Sequence, residues 1–240
     1  MRLILPVFFS FFLVFSAGAQ VSPKAYAAYT HGMELKEKNL FPEALDSFKR
    51  AVAISKKFDS AYVEIARLHT RVNQIDSAVL VLRKVIGFNP KMTSAYLELA
   101  TIYKNLSPNL DSALKNFSLA YQSDSSNKFA LYGLAWCYNS KADYDNAIRH
   151  AIRALEIDNT YKAAYNELGH AYHKTQRYAE AVEQFKKNLS VSVVDLALYY
   201  SGLCYAQLKD KENAQKMYEQ LKTVNEKMAG ALKRNLDKMQ

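Results

Sequence analysis

A repeat of about 34 residues constrains the fold of this chain more than any other feature of its sequence. An alanine recurs once in every repeat, at Ala44, Ala78, Ala113, Ala147, Ala181 and Ala214. A second series of small residues lies 12 or 13 positions before these alanines: Gly32, Ala66, Ala100, Ala135, Gly169 and Gly202. Small residues at a fixed period predict pairs of helices in close contact, because larger side chains would force the pair apart.

The repeat resembles the tetratricopeptide repeat (TPR) family, whose consensus reads W-x2-L-G-x2-Y…A-x3-F…P. The fifth unit matches this consensus at Tyr165, Leu168, Gly169, Tyr172, Ala181 and Phe185. The third unit matches at Tyr96, Leu99, Ala100, Tyr103, Ala113 and Phe117, and the second at Tyr62, Ile65, Ala66, Ala78, Leu82 and Pro90. The first, fourth and sixth units follow the pattern more loosely. The resemblance covers six consecutive units, from Ala25 to Met228.

This resemblance implies an all-α fold, a right-handed superhelical solenoid of about six helix-turn-helix units with a C-terminal capping helix. The predicted segments are a signal peptide at 1–19, a short linker at 20–24, units at 25–58, 59–92, 93–127, 128–161, 162–194 and 195–228, and the rest of the capping helix at 229–240. The extra residue of the third unit is expected in the turn at 107–109, and the missing residue of the fifth in the link at 190–194. Asp76 and Asp111 are predicted to cap second helices.

The start of the chain, positions 1–20, has the pattern of a cleavable signal peptide. Arg2 precedes an apolar run from Leu3 to Phe15, and the small residues Ala17, Gly18 and Ala19 follow this run. The run is shorter than the about 20 residues that span a bilayer as a helix. We therefore expect Gln20 as the mature N-terminus, with a periplasmic location in a Gram-negative bacterium and secretion otherwise. An uncleaved N-terminal anchor is the alternative.

The formal charge of +9 does not indicate a nucleic-acid partner, because basic and acidic residues alternate along the chain and export separates it from nucleic acids. Cys137 and Cys204 occupy equivalent positions two units apart. At the usual helix spacing this separation is too long for a disulfide, so both thiols are expected to be unpaired core residues.

The resemblance implies that the first helix of each unit lines a concave groove that holds a segment of a partner protein. The carried-over groove positions with polar or aromatic side chains are Arg67, Arg71, Lys104, Phe129, Tyr132, Trp136, Asn139, Asn166, His170, His173, Lys174 and Tyr199. Further positions are Tyr29, Met33, Val63, Leu97, Thr101 and Leu203. An aromatic floor between basic walls would suit a peptide with an apolar anchor and acidic flanks. Alternatively, the aromatic residues pack on adjacent units and the cations are solvated.

No catalytic signature is present in the sequence, so we expect neither an enzyme nor a cofactor. Glu167, His170 and His173 share part of one helix, but their spacing drifts around it, so no metal site is expected. The two histidines are instead expected to be groove residues that become charged below about pH 6.5.

The sequence thus predicts a non-catalytic scaffold or adaptor of the cell envelope or extracellular space. It would bind a protein or peptide whose identity the sequence does not give. No membrane span is expected after signal cleavage, and the sequence does not indicate the oligomeric state. A second hypothesis is a structural subunit of an envelope complex for secretion, assembly or motility, in contact through the convex face or the array ends. A third is binding of an anionic glycan or polymer by the basic surface.

Overall fold

The computed structural model describes residues 21–189 and 195–238, and these contain 13 α-helices and no strand. In chain order the helices are α1 Pro23–Glu37, α2 Phe41–Ile54, α3 Asp59–Arg71, α4 Ile75–Phe88, α5 Thr93–Asn105, α6 Leu110–Ser123, α7 Lys128–Ser140, α8 Tyr144–Ile157, α9 Lys162–Lys174, α10 Tyr178–Leu189, α11 Asp195–Gln207, α12 Lys211–Val224 and α13 Glu226–Asp237. The predicted signal peptide, the link at 190–194 and the last two positions of the predicted capping helix, 239–240, lie outside the described residues.

The described residues divide into two compact parts, an N-terminal part of residues 21–62 and a C-terminal part of residues 63–189 and 195–238. In the N-terminal part α1 packs against α2. Tyr29 lies in its core, with ring centroids 5.5 Å from Phe48 and 5.1 Å from Phe58. The Ser22 hydroxyl accepts a hydrogen bond from the backbone N–H of Ala25, and Pro23 follows it. Because this cap starts the helix at Pro23, the predicted linker at 20–24 is shorter than expected.

In the C-terminal part each helix from α4 onward contacts the helix that follows it. The alternate helices α5, α7, α9, α11 and α13 also contact one another in sequence. The first helices of successive pairs therefore stand side by side. This arrangement confirms the predicted all-α solenoid of helix pairs. None of the helices in the described ranges is long and apolar enough to cross a membrane.

Both series of small residues are buried, which allows neighbouring helices to approach closely. A Cβ atom on Gly32 would lie 2.7 Å from a ring carbon of Phe48, and one on Gly169 would lie 2.7 Å from Phe185. The repeat pattern does not reveal the tightest approach: a Cβ on Gly133, in α7, would lie 2.2 Å from Cδ1 of Phe117.

Five of the six turns inside the repeat units share one conformation. Asn39, Asn73, Ala142, Gln176 and Lys209 all have left-handed backbone, with φ between 59° and 62°. The next residue in each turn donates its N–H to a carbonyl five positions earlier, as from Leu40 to Leu35. The third unit joins α5 to α6 through 106–109, which is one position longer than the other turns, so its extra residue lies in the turn.

Helix capping differs from the sequence prediction. Asp76 and Asp111 both lie within the first turn of their helices and are not the capping residues. Gln74 precedes α4 without a side-chain cap, whereas the side chain of Asn109 accepts the N–H of Ser112 at the start of α6. In both units the helix therefore begins earlier than the repeat pattern indicates, and the capping position lies two places before the aspartate.

The predicted C-terminal capping helix is present as α13. Leu232 is fully buried against Leu198 and Leu221, and Leu236 and Met228 are partly buried in the same cluster. A Cβ on Gly202 would lie 2.6 Å from Leu232, so α13 approaches α11 as closely as paired helices approach each other. The array thus ends in a helix that covers its apolar surface.

Both cysteines are unpaired and fully buried, as the repeat register predicted. Burial raises the pKa of each thiol to about 12. The thiols are therefore protonated at neutral pH and serve as small core groups.

Replacement of Gly133 by alanine should lower the free energy of unfolding by about 1–3 kcal/mol, because the new methyl group would overlap the Phe117 ring. Gly230→Ala is the matched control, since a Cβ there lies 3.7 Å from Arg234 and the change favours helix by about 0.5–1 kcal/mol. Thermal and denaturant unfolding followed by circular dichroism measure both. A Gly133→Ala protein as stable as the control would contradict this account of the close approach.

Candidate functional site

The first helices of four successive repeat units in the C-terminal part surround a cavity of about 390 Å³, here called the Trp136 cavity. It is lined by Lys104 of α5, Tyr132, Trp136, Asn139 and Ser140 of α7, Ala163, Asn166, Glu167 and His170 of α9, Phe185 of α10, and Leu196 and Tyr200 of α11. Six of the predicted groove residues therefore lie together: Lys104, Tyr132, Trp136, Asn139, Asn166 and His170.

A second cavity of about 440 Å³, here called the Phe129 cavity, adjoins the first and shares Lys104 and Tyr132 with it. Its other lining residues are Arg67, Leu97, Glu98, Thr101, Asn105, Phe117, Phe129 and Tyr161. Phe129 is 51% exposed, and its ring meets the ring of Tyr161 edge-on at a centroid distance of 5.7 Å. Tyr132 contacts Tyr161 in the same geometry, so the three rings form one aromatic surface.

Lys104 stands between the two cavities. Its ammonium Nζ donates a hydrogen bond of 2.6 Å to the Tyr132 hydroxyl and lies 4.3 Å and 4.8 Å from the ring centroids of Tyr132 and Trp136. Burial lowers the pKa of Lys104, and the negative charge of Glu167 opposes this effect. Burial also raises the pKa of Tyr132 to about 12, so the phenol remains protonated.

Glu167 is the acidic residue of the Trp136 cavity, and Asn139 holds it. Nδ2 of Asn139 donates to the backbone carbonyl of Glu167 at 2.9 Å and to its carboxylate Oε2 at 2.8 Å. Burial raises the pKa of Glu167, and the Asn139 hydrogen bond and the charge of Lys104 partly offset this rise. In the sequence Glu167 stands out only as a candidate metal ligand, since the family's groove positions do not include it.

The two histidines of α9 pack against Tyr200, with ring centroids at 5.3 Å for His170 and 5.2 Å for His173. Burial lowers the pKa of both, to about 4 for His170, and the charge of Lys174 contributes to each shift. Both rings therefore become charged at a lower pH than the value of about 6.5 predicted from the sequence. The described part of the chain has no group of three or more His, Cys, Asp or Glu side chains that could hold a metal ion.

The predicted basic walls are only partly present. Arg67 lines the Phe129 cavity, but its guanidinium is bound to Glu64 at 2.6 Å and to Glu98 at 2.7 Å. Its charge is thus balanced by two carboxylates. Arg71 and Lys174 are exposed and line neither cavity. Among these predicted basic residues, Lys104 is the one that lines both cavities.

The sixth unit uses a different tyrosine from the one predicted. The Tyr199 hydroxyl accepts a hydrogen bond from Asn235 of α13 at 3.3 Å, and its side chain packs with the C-terminal cluster. The adjacent Tyr200 lines the Trp136 cavity instead. Leu203 packs against the same C-terminal cluster. The capping helix covers the face of α11 that the preceding units leave open, which the repeat pattern alone does not reveal.

The sequence left open whether the aromatic residues of α7 line the groove or pack on adjacent units, and Trp136 does both. Trp136 packs against the buried cluster of Phe117, Leu134 and Cys137, and it also lines the cavity. The repeat pattern does not point to Tyr161, just before α9, because this residue lies at the end of a unit where the consensus has no aromatic position.

Comparison with known proteins identifies the repeats. Family models described as tetratricopeptide repeat match residues 130–162, 163–192 and 196–224. The small glutamine-rich tetratricopeptide repeat-containing protein 2 of Mycosarcoma maydis is 39% identical over 57 residues, 24% of this chain and 16% of that protein. Anaphase-promoting complex subunit 3 of Schizosaccharomyces pombe is 29% identical over 82 residues, 34% of this chain and 12% of that protein. The chain thus spans under a fifth of either relative.

Among solved structures, pilF of Pseudomonas aeruginosa superposes with a TM-score of 0.79. The match covers 88% of this chain and 97% of that chain at 12% sequence identity. At this identity the likeness is one of fold.

We expect the pKa of His170 in the folded protein to be about 4, compared with 6.5 for an ordinary histidine. Since the unfolded chain then binds a proton that the folded chain does not, stability should be lost as the pH falls from about 6.5 toward about 4. NMR titration of the His170 ring signals tests the pKa. His170→Gln should reduce the loss of stability on acidification, and Lys174→Met should raise the His170 pKa. A His170 pKa close to 6.5 would show that the ring is solvated.

Proposed function

Because the chain belongs to the tetratricopeptide repeat family, we propose that it is a non-catalytic scaffold that holds a partner protein segment in the Trp136 and Phe129 cavities. Members of this fold serve generally as protein-interaction scaffolds. The observation that carries the assignment is the continuous lining of the two cavities, which meet at Lys104 and Tyr132. Together they offer a run of partly exposed aromatic and polar groups across α5, α7, α9 and α11.

The composition of this surface suits protein binding. Tyrosine, tryptophan and arginine are enriched among the residues that dominate binding energies, and Tyr132, Trp136, Tyr161, Tyr200 and Arg67 all line the cavities. The half-exposed Phe129 adds apolar area that a partner side chain can cover. The cavity volumes of about 390 and 440 Å³ are in the range that accommodates side chains or small ligands.

A binding role also agrees with the state of the reactive groups. Nucleophilic catalysis requires an activated side chain, such as a thiolate next to a base. The two cysteines are instead buried with pKa values of about 12, and Glu167 is bound by Asn139. His170 is a neutral ring packed on Tyr200. These groups are arranged for packing and hydrogen bonding.

The alternative role is that of a permanent subunit of an envelope assembly, with contacts through other surfaces. It predicts an obligate oligomer or a co-purifying complex, in which the two cavities have no special part. Size-exclusion chromatography with light scattering separates the two roles, because a scaffold with an exchangeable partner is expected to be purified as a stable monomer.

A photo-crosslinking amino acid at Leu196 should form covalent adducts with another protein in cells that produce this chain, because Leu196 is 50% exposed and lines the Trp136 cavity. The same amino acid at Leu80 is the control, since Leu80 is 72% exposed and lies on α4, away from both cavities. Electrophoresis and mass spectrometry of the adducts measure the outcome.

A second substitution tests whether the cavity itself is occupied. Ala163→Trp would fill the Trp136 cavity and should abolish the Leu196 adducts, whereas Ala179→Trp adds the same side chain at an exposed site on α10 and should preserve them. Equal adducts from Leu196 and Leu80, or adducts that persist in Ala163→Trp, would contradict binding in this cavity.

We also propose that the chain is exported, on the basis of the charged, apolar and small-residue segments within positions 1–19. The mature protein should begin at Gln20, and intact-mass spectrometry of the protein from the envelope or medium measures this. Replacement of Ala17 and Ala19 by bulky residues should leave the precursor uncut, because signal peptidases require small residues at these positions. A mass that retains positions 1–19 would indicate the uncleaved anchor.

A further inference from the structure

The Trp136 cavity has no net charge at neutral pH, although it contains ionisable groups. Its lining includes one lysine, Lys104, and one carboxylate, Glu167. His170 is neutral, because burial lowers its pKa to about 4. The other lining residues are aliphatic, aromatic, amide or hydroxyl side chains. One positive and one negative charge therefore balance within the cavity.

Each of the two charges is disfavoured by burial and supported by the other. Burial lowers the pKa of Lys104 and raises that of Glu167, and in both groups the opposite charge of the partner counteracts the shift. An additional charged group in this cavity would lose its own water, and because Lys104 and Glu167 have opposite charges, the cavity offers it no net attraction in return. The cavity therefore disfavours charged side chains of either sign.

Asn139 supplies a hydrogen-bonding group that no neighbour satisfies. Its Nδ2 donates to the carbonyl and the carboxylate of Glu167, and both of these can only accept. This fixes the orientation of the amide, since the reversed orientation would place oxygen against oxygen. Oδ1 of Asn139 is then a buried acceptor without a partner among the described residues, on a side chain that lines the cavity and is only 7% exposed. Such an acceptor costs free energy until a donor reaches it.

Another residue of the lining, Lys104, supplies a donor. Lys104 has three ammonium hydrogens and donates one to the Tyr132 hydroxyl. The aromatic rings of Trp136 and Tyr200 also line the cavity, and aromatic rings favour contact with a flat group. The ligand that matches these features is planar, neutral, and both a donor and an acceptor.

We infer that the Trp136 cavity binds the side-chain carboxamide of a glutamine or asparagine in the partner segment. The NH2 group donates to Oδ1 of Asn139, and the carboxamide oxygen accepts from Nζ of Lys104. This inference rests on the proposed scaffold function and specifies what the cavity selects. It replaces the acidic flanks expected from the sequence, because the lysine that would attract them is already balanced by Glu167.

The single tryptophan of the chain allows a direct test, since Trp136 gives one indole N–H signal in NMR spectra. Four short peptides, capped at both ends, differ only at a central residue: glutamine, glutamate, lysine or leucine. The glutamine peptide should shift the indole signal and bind about tenfold more tightly than each of the others. Glutamate is isosteric with glutamine, so this pair isolates the effect of charge.

Two charge variants test the balance itself. Glu167→Gln leaves Lys104 as the single charge and should move the preference to the glutamate peptide. Lys104→Met leaves Glu167 as the single charge and should move it to the lysine peptide. Lys115→Met is the matched control: it removes one positive charge from an exposed position of α6 outside the cavity and should retain the preference for glutamine. Circular dichroism establishes that each variant is folded, and either charge variant alone suffices if the other does not fold.

A wild-type preference for glutamate, lysine or leucine, equal affinity for the four peptides, or no indole shift at millimolar peptide would overturn the carboxamide assignment. Charge variants that keep the wild-type preference would also overturn it, because the charge balance would then have no role. The scaffold proposal is judged separately. If Leu196 still forms adducts, only the carboxamide assignment is lost. If Leu196 forms none, the proposed function itself fails.

Discussion

The close approach of neighbouring helices at glycine and alanine positions is the constraint on which the rest of this structure depends. Phe48 and Phe185 rest directly against the backbone of Gly32 and Gly169, and Phe117 rests against Gly133. A close-packed interior cannot absorb an added methyl group at these points without movement of whole helices. Because this contact recurs along the chain, the first helices of the repeat units in the C-terminal part are brought side by side in a regular row.

The row of first helices creates the candidate site. Other positions of the first helices have large side chains. Those of Lys104, Tyr132, Trp136 and Tyr200 line the Trp136 cavity. These side chains are also partly buried, so they contribute to packing as well as to the cavity lining. A surface of this kind is ordered before any partner arrives, which reduces the entropic cost of binding.

Burial also determines the charge of the site. A solvated lysine and carboxylate would respond independently to pH, but in the Trp136 cavity the pKa values of Lys104 and Glu167 depend on each other. Desolvation keeps His170 neutral and leaves Lys104 and Glu167 as a mutually supporting pair. In the Phe129 cavity Arg67 is balanced by Glu64 and Glu98. A chain of formal charge +9 therefore presents cavities that are close to neutral.

The helix pairs, their register, the unpaired cysteines and the helical positions of most cavity residues follow from the sequence alone, because small residues at a period of about 34 residues are a local property of the chain. Tertiary contacts were needed to establish which of two adjacent tyrosines lines the cavity, since α13 covers Tyr199 and leaves Tyr200 for the site. The same contacts make Arg67 paired and His170 neutral, and they bring Asn139 to Glu167. Periodicity places a residue on a helix face, whereas burial, partners and protonation depend on side chains contributed by other helices.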